Sequence, residues 1–329
     1  MALPPGRVAF PRGRPARTAM IPAILLALAP VALLVALGHG LRRSGFVADA
    51  FWPQAERLCY YVLLPALFAH GLAGARLQSL AVLPLAGTLV GATVAAAAVL
   101  VLARPFVRVD GAGFTSVFQG AVRFNNYVGT SLAAGLFGAG GIALSAVCVA
   151  AIVPTVNLMC VLVFARYGAT RLGAAALVRQ IVSNPLVVAC ALGIAMQAGG
   201  VTFPTAVEPA VRALGAASMP LGLLCVGAAL KFDAARAWMQ PVCIASAFKF
   251  LAMPLLTIVA ARAFGLSDAA LTVALLFQAL PTSSASYLMA RQLGGDAALM
   301  AGITAFQTLF ATIAMPIVMT MLVAAPTFR

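Results

Sequence analysis

The sequence predicts an all-α polytopic membrane protein of about ten transmembrane helices, arranged as two inverted halves. Three observations predict it. Apolar residues make up 63% of the 329 and charged residues only 9%, where soluble domains carry about 25% charged. Apolar runs long enough to cross a bilayer, about 18 residues or more, recur along the whole length. Two of these runs are interrupted by polar stretches, Phe118–Gly138 and Phe277–Leu288, that stand in corresponding positions of the two halves.

The composition bounds the class. A mean hydropathy of +1.06 leaves no stretch for a soluble module, so the chain is one integral unit. The formal charge of +14 suggests nucleic acid at first sight, but the 21 Lys and Arg are scattered over predicted loops rather than gathered on one face. A membrane protein uses such charges to set topology. Cys59, Cys148, Cys160, Cys190, Cys225 and Cys243 all fall inside apolar segments with no C-x-x-C pair, so they are expected to be small core hydrophobes, neither disulfides nor metal ligands. An enzyme is disfavoured: there is no H-E-x-x-H, G-x-S-x-G or Walker loop, no carboxylate pair within a span, and His39 and His70 are the only histidines. No cofactor or metal site is expected.

Residues 1–19 are rich in proline and arginine and are expected to be disordered. The apolar run that starts at Met20 reaches about Leu41 without a clear small-x-small cleavage site, which argues against a signal peptide. Met20 is the expected initiator and residues 1–19 a misannotated extension; a native mass beginning at Met1 would sink that reading. The spans are drawn at 20–41, 56–75, 79–103, 113–138, 140–164, 180–199, 207–230, 238–264, 268–291 and 298–323. This divides the chain into a first five-helix repeat over 20–164, a cytoplasmic linker over 165–179 and a second five-helix repeat over 180–324.

Orientation follows from the basic loops. The odd-numbered loops hold Arg42, Arg43, Arg57, Arg104, Arg108, Arg166, Arg171, Arg179, Lys231, Arg236 and Arg291, whereas the even loops and the C-terminus hold Arg76, Arg262 and Arg329. The positive-inside rule therefore puts the odd loops in the cytoplasm and both termini outside. The repeat itself is read from offsets. Pro65 answers Pro220 (155 residues), Phe118-Gln119 answers Phe277-Gln278 (159) and Pro22 answers Pro185 (163). Five spans is an odd number, so halves offset by five are oppositely oriented.

The first interruption, FQGAVRFNNYVGTSLAAGLFG, carries Gln119, Arg123, Asn125, Asn126, Tyr127, Gly129, Thr130 and Ser131. An arginine at the bilayer centre costs about 2.5–3.5 kcal/mol on insertion scales, so a continuous lipid-facing helix is excluded. Irregular backbone at that depth persists only where protein or a water-filled cavity covers it, the arrangement of a transporter's discontinuous helix. The second, FQALPTSSASYL, contains Pro281, which removes a donor, and Thr282, Ser283, Ser284 and Ser286, which can bond freed carbonyls. The alternative there is an ordinary proline kink with serines capping their own helix.

Arg123 and Lys249 are the basic residues deepest in spans, and a cation facing a cavity favours an anionic substrate. The alternative for each is snorkelling or bonding to freed carbonyls. The acids (Asp49, Glu56, Asp110, Glu208, Asp233, Asp268, Asp296) all fall in loops or at span ends, so no buried carboxylate is expected to relay protons. His70 is the one buried titratable alternative, read more simply as a helix-packing histidine. Sodium held by asparagine side chains and unwound carbonyls stays open as a coupling ion, and so does a proton.

In its pieces YYVLLPALFAHGLA, RFNNYVGTSLAAGLFG, SNPLVVACALGIAM, MPLGLLCVGAAL, FKFLAMPLL and ALPTSSASYLMARQLGGDAALMAGITAFQT, the chain resembles the auxin efflux carrier family, in its short bacterial malonate/malate permease form. The resemblance runs from Met20 to about Ala324. It implies two inverted five-helix repeats whose broken fourth and ninth helices cross near the midplane. Asn125, Asn126 and Gly129 would then stand at the first crossover and Pro281 to Ser284 at the second, with an anion site where they cross. It also implies a bacterial plasma membrane and a homodimer. Many bacterial relatives put proline where this chain has Ser131, so the first break is expected to be shaped differently here.

The expected function is secondary transport of a small organic anion, a carboxylate by preference, with Arg123 or Lys249 balancing its charge. Asn125 and Asn126 bond it, and Tyr127, Gly129, Pro281, Thr282, Ser283 and Ser284 complete the substrate site. The partners are thus the anion and the lipid bilayer. The alternatives are a sodium-coupled symporter of the bile-acid type and a membrane sensor or structural subunit on the same fold.

Overall fold

A computed structural model describes residues 17–74, 82–168, 183, 185–230, 239–266, 268–283 and 285–324. Every regular element among them is helical. Five helical stretches are long and apolar enough to cross a membrane: Val82–Leu102, Gly111–Tyr167, Glu208–Ala228, Met239–Phe264 and Ala297–Ile317. The chain is a multi-pass helical membrane protein.

The first helix, α1 (Arg17–Arg43), ends on Arg42 and Arg43, cations that suit the negative end of a helix dipole. Arg42 also ties that end down, donating from Nε to Asp49 (2.9 Å) and from Nη1 to the Ala228 carbonyl (2.6 Å). Next come α2 (Phe51–Leu58) and α3 (Leu64–Ala73), joined by a π turn over Cys59–Leu63. A second π turn, Phe248–Ala252, joins α9 (Met239–Ala247) to α10 (Met253–Phe264). Each π turn stands just before a proline, Pro65 or Pro254. A proline in mid-helix lacks its N–H and crowds the preceding turn, and a widened turn relieves both.

Between these lie α4 (Val82–Leu102), α5 (Gly111–Val122), α6 (Asn126–Tyr167), α7 (Pro185–Ala198) and α8 (Glu208–Ala228). The chain closes with α11 (Asp268–Gln278), α12 (Ala285–Leu293) and α13 (Ala297–Ala324). Asp110 opens α5 by accepting from the Gly113 amide at 2.7 Å.

The helices sort into two bundles. In one, α1 packs on α8, and α3 packs on α7 and α8. In the other, α4 lies on α10, and α5 lies on α9 and α13. The long α6 touches both. In the first bundle the contacts are made by small residues: a Cβ on Gly227 would strike the Val35 carbonyl, and one on Gly193 would come within 2.8 Å of the Ala69 carbonyl. Backbones brought this close by glycine are how membrane helices associate without a hydrophobic drive between them.

Several expected boundaries change. The spans drawn at 113–138 and 140–164 meet at Gly138, whose φ of 58° and ψ of −139° lie outside helical space, so the stretch Asn126–Tyr167 is two helices joined at a kink that brings Gly141 against the Ala133 carbonyl. Glycine accepts that conformation without a Cβ penalty. The run starting at Met20 is already helical from Arg17. Residues 1–16 and most of the linker expected at 165–179 lie outside the described residues. All six cysteines are free thiols and five are buried, but Cys243 is exposed on the outer face of α9, so it is not a core residue.

Candidate functional site

The two predicted interruptions are both breaks in helices, and they meet. α5 stops at Val122, Arg123 is extended (φ −75°, ψ 160°), and α6 begins at Asn126. α11 stops at Gln278, and α12 resumes at Ala285. The Asn125 amide donates to the Pro281 carbonyl at 2.9 Å, so the unwound segments share a backbone hydrogen bond. The rings of Phe124 and Phe277 pack edge to face 5.7 Å apart beside it. A Cβ on Gly129 would stand 2.5 Å from Leu280 and 3.1 Å from Phe277, so only glycine lets α6 lie this close to the second break.

Freed backbone groups in a membrane must find partners inside the protein. Asn125, only 1% exposed, supplies two: its Oδ1 accepts from the Tyr127 amide (3.1 Å) and the Val128 amide (3.2 Å), capping α6. Gln307 of α13 supplies two more. Its Oε1 accepts from the Thr282 amide at 2.9 Å and its Nε2 donates to the Gly120 carbonyl at 3.0 Å, so a single side chain binds both breaks. The Thr282 hydroxyl reaches the Gln119 carbonyl (3.4 Å) and meets Ser286 (3.3 Å). Gln278 anchors the end of α11 to α4 through the Leu89 carbonyl and Thr93.

Beside the crossing lies a cavity of about 500 Å³. One wall is α2 and its π turn (Glu56, Arg57, Tyr60, Tyr61); the other is Arg123, Phe124, Asn126, Tyr127, Asn157, Ser283 and Met289. Arg123 reaches into this wall, donating from Nη1 to Asn157 Oδ1 at 3.0 Å with Met289 Sδ at 3.4 Å. Its Nε, Asn126 Oδ1 and Tyr127 OH have no hydrogen-bond partner among the described residues. Tyr127 is held by its ring, which lies against Gly222 of α8. The cavity therefore offers one fixed cation and several uncommitted polar atoms where both breaks meet the first bundle.

The ten residues expected at the site separate accordingly. Arg123, Asn126, Tyr127 and Ser283 line the cavity. Asn125, Gly129, Pro281 and Thr282 stand behind it where the breaks meet: Asn125 Oδ1 and the Thr282 and Pro281 backbone groups are bonded, while Asn125 Nδ2 has no partner among the described residues. Ser284 lies outside the described residues. Lys249 is elsewhere: it sits on the π turn of Phe248–Ala252, fully buried, with no partner for Nζ, and does not line the cavity. The acids need a correction too. Glu56 was expected at a span end, away from any relay, yet α2 starts five residues earlier and carries it into the cavity wall. His70 is half-exposed rather than buried, pairs with Glu208 at 2.9 Å and stacks on Phe203, away from the cavity.

Sequence reasoning missed Asn157, Gln307 and Gln278. Each is a lone amide in an apolar helix, and that oddity was the available signal.

Residues 169–319 match the family model described as membrane transport protein. No curated protein matches the chain. Over that stretch, just under half of its length, the chain is similar to membrane transport proteins.

Proposed function

We propose that this protein is a secondary transporter of a small organic anion, a carboxylate by preference, that binds beside the crossing of its two broken helices. The observation that carries the reading is Arg123, a cation fixed by Asn157 in a cavity of about 500 Å³, with the uncommitted Tyr127 OH beside it as a donor. A carboxylate accepts from the guanidinium and from Tyr127, and the first turn of α6 adds the positive end of its dipole. Ser283 completes the site from the second break. Asn125, Gly129, Pro281 and Thr282 position these groups without contacting the anion. Lys249 is left out, because it does not line the cavity.

The reading includes ten spans in two inverted repeats, 20–164 and 180–324, in a bacterial plasma membrane with both termini outside. The breaks fall in the fourth and ninth of those spans, and the bond between Asn125 and Pro281 fits their crossing. The cavity lies between the bundle containing α2 and the crossing, so sliding one against the other closes one face and opens the opposite one. With odd loops inside, α2 begins at the cytoplasmic surface, and this cavity is the inward-facing one.

The test is uptake of radiolabelled acetate, malonate, malate and indole-3-acetate into proteoliposomes, with protein-free liposomes as blanks. Saturable uptake of one anion, lost in Arg123→Ala and kept in a variant of the lipid-facing Leu255, is the expected result. No protein-dependent uptake of any of the four would overturn the anion reading.

A further inference from the structure

The wall that α2 contributes brings a carboxylate into the cavity assigned above to an anion. Glu56 is half-buried there, and Arg57 and Arg123 share the same space. A volume of about 500 Å³ corresponds to a sphere of about one Debye length across (about 8–10 Å), so charges on its wall are not screened from one another. Glu56 lines the same cavity as Tyr127 and Asn126 of the first turn of α6, where the anion's contacts lie. The charged and titratable groups that share the cavity's lining with it, among the described residues, are Arg57, Tyr60 and Tyr61 from its own wall and Arg123 and Tyr127 from the first break and α6. It is the one carboxylate among them.

We propose that Glu56 carries the coupling proton: it binds H⁺ when the anion binds, and the two cross together. This rests on the cavity being the anion site. Two carboxylates in one poorly screened cavity repel each other, so an arriving anion favours the protonated form of Glu56, and a protonated Glu56 favours the anion. By linkage the two effects are equal in size. No bond other than the O–H of the carboxyl forms or breaks, and the proton comes from, and returns to, the water at the open face. Arg123 holds the substrate, and Arg57 on the opposite wall attracts an anion without discriminating between malonate and malate.

The experiment uses the full-length protein in liposomes that enclose a pH-sensitive dye, challenged with malonate or malate, which cross bare membranes poorly. Binding is followed separately, as thermal stabilisation of the detergent-solubilised protein by the same two anions between pH 5.5 and 7.5. The expected result is internal acidification in step with uptake, and an apparent affinity about tenfold higher at the lower pH. In Glu56→Gln the anion still binds, its affinity no longer depends on pH, and uptake no longer acidifies the interior; Glu56→Asp restores both. Uptake by the wild type without acidification, or a pH dependence unchanged in Glu56→Gln, overturns the assignment while leaving the carrier intact. Absence of both binding and uptake in the wild type overturns the anion site itself, and the proton's role with it.

Discussion

The two breaks solve one problem in opposite ways. At the second, nearly every polar group is spent inside the protein: the Pro281 carbonyl takes the Asn125 amide, the Thr282 amide takes Gln307, and the Thr282 hydroxyl takes Gln119 and Ser286. At the first, the backbone is satisfied by Asn125 Oδ1 and Gln307, while Arg123 Nε, Asn125 Nδ2, Asn126 Oδ1 and Tyr127 OH have no partner among the described residues. One break is a fulcrum and the other presents chemistry. The difference teaches that a polar residue at membrane depth is not thereby a ligand contact. Unwound backbone consumes polar side chains first, and only the surplus faces a substrate.

The sharpest way to break this comparison is to remove the side chain that serves both sides. Gln307→Leu strands the Thr282 amide and the Gly120 carbonyl, which costs about 2–6 kcal/mol at roughly 1–3 kcal/mol per buried unsatisfied group. The melting temperature in detergent should fall by several degrees, and an unchanged midpoint would mean that the crossing holds without it. Arg123→Ala comes next. It removes a charged hydrogen-bond donor worth about 1.5–3 kcal/mol, so anion kcat/KM should fall by about 10–100-fold with little change in melting.

Asn125→Ala then separates positioning from binding. Loss of a helix N-cap costs about 1 kcal/mol, and Asn125→Ser or Asn125→Asp should recover most of it. If Asn125→Ala instead leaves melting untouched and weakens the anion as much as Arg123→Ala does, Asn125 is a ligand contact and the division drawn here fails. The smallest effect is expected at Lys249, the other deep cation. A buried amine without a partner is a liability, so Lys249→Met should leave uptake unchanged and stability equal or up to about 2 kcal/mol higher. A loss of uptake would give Lys249 a part in transport that its position outside the cavity does not suggest.

Much of the plan was legible in the chain, for physical reasons. Apolar runs announce helices because a bilayer core leaves the backbone no other way to satisfy itself, and Asn125-Asn126 and Pro281 announce the breaks because no lipid-facing helix carries them. The boundary drawn at 138–140 falls on the kink at Gly138, a conformation that glycine accepts without a Cβ penalty. The start of a span was less legible. Glu56 was misjudged because hydropathy starts the second span at residue 56, whereas Phe51 and Trp52 start the helix earlier and set the glutamate on its cavity face.

Sequence alone determined that this is a multi-pass helical protein, where its helices break, and that a cation lies deep at one of those breaks. Each of these is a property of a residue against its bilayer, a cost that local composition expresses directly. Tertiary structure decided which polar groups face a cavity and which are consumed: Asn125 as cap, Gln307 as the tie between breaks, Lys249 set apart, Glu56 brought in. Those outcomes depend on which helices pack together across distances such as Asn125 to Pro281 or Gly120 to Gln307. A side chain's neighbours at that range are set by the packing of whole helices, and no local pattern encodes them.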